Sequence, residues 1–168
     1  NELKMQSLLA LTAAIILMLV YIVIRFEFLS GVAATVSLVH DVLIIVSVYS
    51  IFQIPVNTSF IAAILTIIGY SINDTIVIFD RIRENYRFAS KKDDFAVVAE
   101  KSVWQCMTRS INTSATTLFS IVALFAIGVS SLREFTFPLI IGIVSGVYST
   151  VFIATPVWIM MRGRKIVK

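Results

Sequence analysis

Apolar positions along the chain gather into five long runs, at residues 5–24, 29–52, 59–79, 111–131 and 135–161. Each reaches the roughly 20 residues that a helix needs to cross a hydrocarbon core of about 30 Å. The pattern predicts five transmembrane helices. The last run is overlong, so a tilt or kink is expected there, with Pro138 and Pro156 as candidate sites. The turns at 52–58 and 132–134 are short, which makes their helices antiparallel neighbours in a compact bundle.

Residues 80–110 break the pattern. Ser90 reads as a helix cap with acids behind it, and Phe95, Val98, Ala99, Val103 and Cys106 follow at helical spacing. An amphipathic helix is expected, lying on the membrane surface or packed on the end of the bundle; periodicity alone does not name the surface it covers. The organisation expected is a single transmembrane domain over 1–168, with 80–110 as its long connection.

Composition agrees. Of 168 residues 58% are apolar and 14% charged, against about 45–50% and 25% in soluble domains. The class is an all-α polytopic membrane protein. The formal charge of +4 then records topology rather than nucleic-acid binding. Arg81, Arg83, Arg87, Lys91, Lys92, Lys101 and Arg109 fall in one connection, Arg162, Arg164, Lys165 and Lys168 in the tail, and Arg25 after the first run. Counting spans in order puts all of these on one side, which is cytoplasmic by the excess of basic residues. Only Lys4 and Arg133 lie opposite. The first residue is then outside, which leads us to expect a further span or an exported domain upstream. Trp158 and Tyr21 read as interfacial belt residues.

Enzymatic chemistry has little to stand on. One histidine and one cysteine supply neither a zinc set nor an intrachain disulfide, and no phosphate-binding or dinucleotide motif occurs. No enzyme activity and no cofactor are expected.

What needs explaining is charge inside the membrane. A carboxylate there costs about 2.5–3.5 kcal/mol on insertion scales. Asp74 sits about 8–9 Å from the cytoplasmic end of the third run, and Asp41 about 16–18 Å from that end of the second, at ~1.5 Å per residue. Asp74 is flanked by Asn73, Thr75 and, one turn away, Ser71. It reads as an ion-relay residue, or else as a buried acid permanently paired with a base. His40 and Asp41 are a second candidate pair; adjacent helical residues point about 100° apart, so the two are expected to face different neighbours. Arg109 opens the fourth run as either an interfacial anchor or a cation that approaches Asp74. Asn112, Thr113 and Ser114 follow it, suited to interhelical hydrogen bonds or to lining a water file. Gly142 and Gly146 form a small-xxx-small packing face.

The stretch Gly69-Tyr70-Ser71-Ile72-Asn73-Asp74-Thr75, ending in Asp80-Arg81-Ile82-Arg83-Glu84-Asn85, resembles the most characteristic motif of the SecF family. Val39-His40-Asp41-Val42 and Arg109-Ser110-Ile111-Asn112-Thr113-Ser114 also look like SecF positions. The resemblance implies one half of a pseudo-symmetric transporter bundle of the resistance–nodulation–division superfamily, with the first span and the exported domain absent. It implies a SecD-like membrane half, the Sec translocation channel and a translocating polypeptide as partners. Protons, or sodium in some members, would be the coupling ion at the bacterial cytoplasmic membrane. Asp74 would be the essential carboxylate and Arg109 its associated base, with Asp41 and His40 as further relay residues. The alternatives are another exporter of the superfamily, carrying lipid or drug, and a passive scaffold in which Asp74 and Arg109 form a static pair.

Overall fold

The computed structural model describes residues 27–89 and 94–162, together with 5, 9, 10, 12–14, 16, 17, 20, 21 and 24. The described part of the first run is helical, and Tyr21 within it is half exposed. The rest of that run, Arg25, the Ser90 cap expected from sequence and the basic tail after Arg162 lie outside the described residues. Elements follow as α1 (Phe28–Ile51), α2 (Thr58–Phe88), α3 (Phe95–Ile127), α4 (Ser130–Ser149), a π-helical segment (Thr150–Ala154) and α5 (Thr155–Arg162). With α4 to α5 taken as one continuous rod, four helices among the described residues are long and apolar enough to cross a membrane.

Two boundaries differ from the sequence reading. Residues 132–134 lie inside α4, and the chain reverses earlier, at Gly128 and the extended Val129. Charge suggested a turn at Arg133 and Glu134. In fact these side chains serve the helix ends: Arg133 donates to the carbonyl of Ala126, and Glu134 accepts from Asn57. Asn57 also caps α2 by accepting from the Phe60 amide, so one side chain fixes a helix start and ties it to α4. At the other end of the molecule, the third run does not stop at Phe79. Its helix continues to Phe88, because Ile78, Phe79 and Ile82 keep an apolar face buried.

The expected amphipathic helix is present, and it runs without a break into the fourth span as α3. Asp94 caps it, its carboxylate accepting from the Ala96 amide. Of the two surfaces open to it, it covers the bundle. Phe95, Ala99, Val103 and Cys106 pack in one cluster with Phe79, Ile82, Ala154 and Trp158. Asn85 donates to Ser102 and Gln105, and Arg81 to Gln105, so the ends of α2 and α3 form a paired hairpin.

Trp158 is not a belt residue. It is 0% exposed, its ring 4.6 Å from Phe79 and 5.2 Å from Phe95. The hairpin reaches back over the end of the bundle, and that converts an interfacial position into a core one. Arg162 closes the same end, with its guanidinium over Tyr86 and Phe95 and an ion pair to Glu27.

The overlong last run is interrupted by the π-helical segment, while Pro138 lies buried inside α4. Pro156 follows two residues after the segment. Its ring would crowd the carbonyl four residues back in a regular helix, and the wider π turn relieves this. The freed Thr150 carbonyl accepts both the amide and the hydroxyl of Thr155. Gly142 and Gly146 bring α4 against α2: a β-carbon on Gly142 would lie 2.5–2.7 Å from Ile67, a contact no side chain makes.

Candidate functional site

Three residues on one stretch of α2 meet three different helices. Ser71 reaches α1, Asp74 reaches α3, and Thr75 reaches the π-helical segment at Thr150, 3.0 Å away. Spacings of three and four residues put them side by side on one face of α2. The small residues of α4 let that face sit centrally in the bundle.

The two intramembrane acids are treated differently. Asp41 is 1% exposed, and both of its oxygens are occupied. Ser145 donates to Oδ1 at 2.6 Å; Ser71 and Ser149 donate to Oδ2 at 2.8 and 2.9 Å. Ser37 extends the network by donating to Ser149. Gly146 makes room, since a β-carbon there would stand 3.3 Å from the Ser71 oxygen. Asp74 is half-buried, and only Oδ1 is held, by Ser110 at 2.6 Å. Its Oδ2 is buried with no hydrogen-bond partner among the described residues.

Contrary to the expectation from helix geometry, His40 and Asp41 face the same neighbour. Asp41 reaches Ser145 and Ser149, and His40 Nε2 lies 2.7 Å from the Tyr148 hydroxyl, all on α4. His40 Nδ1 is 3.4 Å from Asp41 Oδ1. The 100° between adjacent residues is bridged because α4 packs into the angle between the two side chains.

Arg109 is exposed and forms no ion pair with Asp74 among the described residues; its neighbour Ser110 makes the contact instead. Asn73, Asn112 and Thr113 are also exposed, while Ser114 is buried and within hydrogen-bond reach of the Tyr70 hydroxyl. Thr113, Thr116 and Ser120 donate back to carbonyls of their own helix. Each then offers outward only lone pairs, so this face of α3 is a row of acceptors.

Sequence reasoning missed Ser145, Ser149, Thr150 and Tyr148. They are ordinary hydroxyl residues in an apolar run. Their one signal was a spacing of three and four residues around Gly146, read there as packing.

Among the described residues no group of histidine, cysteine and acidic side chains is placed to hold a metal ion.

Comparison with known proteins places the chain. Residues 1–164 match the family model described as "Protein export membrane protein SecD/SecF, C-terminal". The protein translocase subunit SecF of Alicyclobacillus acidocaldarius is 47% identical over 97% of this chain and 54% of its own length. The SecF of Sebaldella termitidis is 49% identical over 98% and 54%. The SecDF of Bacillus subtilis is 43% identical over 100% of this chain and 23% of its own length. A crystal structure of SecDF from Thermus thermophilus, titled a translocon-associated membrane protein, superposes with a TM-score of 0.92 at 37% identity, over 96% of this chain and 22% of that one. The chain thus spans about half the length of the SecF relatives it matches. It belongs to the SecD/SecF family of protein-export membrane proteins, matching the C-terminal part that the family model describes.

Proposed function

We propose that this chain is the membrane part of a subunit that uses ion movement to assist protein export across the bacterial cytoplasmic membrane. It would work beside the Sec translocation channel and share its ion pathway with a SecD-like half. The observation that supports this reading best is the asymmetry of Asp74, with one oxygen bonded to Ser110 and the other buried and unpartnered.

A buried charged oxygen without a donor is costly. A proton arriving at Oδ2 removes the charge and turns an acceptor into a donor. The charge-assisted bond from Ser110 then weakens, because a neutral acid accepts less strongly than a carboxylate. So does the pull on the Arg109 cation. The grip between α2 and α3 is loosened by one chemical event. Loss of the proton restores it. This cycle would be transmitted to the part of the protein that touches the exported polypeptide.

The outward face of α3, together with Asn73 of α2, supports the same reading. Arg109, Asn112, Thr113 and Thr116 on α3 and Asn73 on α2 are exposed and polar. Hydrocarbon suits such a row poorly, whereas a second helical half with water between suits it well. Asp74 would be open to water through that seam.

The test is Asp74→Asn in the full-length subunit assembled with its partner. Ion-driven export is expected to be lost while insertion and partner binding stay normal. Export that continues to respond to the ion gradient would overturn the proposal and leave the passive scaffold.

A further inference from the structure

Asp41 carries no part of the cycle just described, and its surroundings give it a different task. A proton landing on Asp74 meets an empty acceptor. One landing on Asp41 meets oxygens that already accept from Ser145 at Oδ1 and from Ser71 and Ser149 at Oδ2. The donors come from α2 and α4, so a single carboxylate on α1 holds three helices in register. One of them, Ser71, stands three residues before Asp74 on α2 and shares its face.

We propose that Asp41 is a positioning residue that, through Ser71, sets where Asp74 stands relative to Ser110, and is not a second station for the moving proton. This rests on the reading of Asp74 as the group that gains and loses the proton. The bond through Ser71 is the one that matters for placement, since it alone joins Asp41 to α2. Ser145 joins Asp41 to α4 only. His40 on the same helix and Tyr148 from α4 are the titratable groups beside Asp41. Arg109 and Cys106 from α3 are placed near Asp74, and Tyr70 stands one turn before it on α2.

The experiment is the pH profile of ion-driven export by the full-length subunit with its partner in proteoliposomes, for five variants. Asp41→Asn keeps an acceptor for Ser145, and the hydroxyls of Ser71 and Ser149 can turn to accept from its amide. It is expected to retain export within about threefold, with an unmoved pH midpoint. Asp41→Leu removes every partner and is expected to be inactive. Ser71→Ala is expected to move the midpoint by about half a unit or more, and Ser145→Ala to leave it in place. Asp41→Asn as inactive as Asp74→Asn would overturn the proposal in favour of a second relay site. A midpoint unmoved by Ser71→Ala would overturn it as well. Asp74→Asn is the control: if it still exports in response to the gradient, the reading of Asp74 fails, whatever the Asp41 variants do.

Discussion

Ser110 donates to Oδ1 of Asp74 across the α2–α3 seam at 2.6 Å, while Arg109, one residue earlier, points away from the bundle. The contact that holds the membrane carboxylate is therefore a neutral hydroxyl, which can let go without leaving a buried cation behind. Hydrogen bonds to charged groups are worth about 1.5–3 kcal/mol, enough to hold the pair and little enough to break in a cycle.

Ser110→Ala is expected to reduce ion-driven export about tenfold or more, with normal membrane insertion, because both Asp74 oxygens then lack a donor. Ser110→Thr keeps the hydroxyl and should restore most of it. Export by inverted vesicles with and without an ion gradient separates these outcomes.

Gly142 touches Ile67 where a β-carbon has no space. Gly142→Ala should force α4 off α2 and cost about 1–3 kcal/mol, as overpacking does. Thermal denaturation in detergent measures it. Pairing the change with Ile67→Ala, which vacates the contact, should recover part of the loss.

Trp158 is enclosed by Phe79 and Phe95 at the basic end of the bundle. Trp158→Ala is expected to cost about 3–5 kcal/mol, seen as proteolysis of the hairpin that α2 and α3 form. A true belt tryptophan, facing headgroups, would show almost no loss.

Arg162 lies over the Tyr86 and Phe95 rings, 4.6 Å from each centroid, and pairs with Glu27. The ion pair is partly exposed and contributes little, so the stacking carries most of the effect. Arg162→Lys should lose about 1 kcal/mol despite keeping the charge, since an ammonium does not stack as a planar guanidinium does. Glu27→Gln should lose less; comparing the two melting temperatures checks the ranking.

Much was settled along the chain itself. The second apolar run matches its helix to a residue at each end, Phe28–Ile51 against 29–52, because span length is a property of the bilayer, whereas the helix of the third run continues to Phe88 and that of the fourth begins at Phe95. The charges of Asp41 and Asp74 stood out because an apolar background makes each ionisable group expensive, and the family motif around Asp74 was legible residue by residue. Tertiary structure decided the rest. Whether Phe95, Val103 and Cys106 cover lipid or protein, and whether Trp158 faces headgroups or the core, depends on where α2 and α3 turn, and periodicity is blind to that. The difference between a carboxylate caged by Ser71, Ser145 and Ser149 and one with an unpartnered oxygen also lies outside any local pattern. Hydroxyls 30, 104 and 108 residues from Asp41 decide it, and only packing brings them within reach.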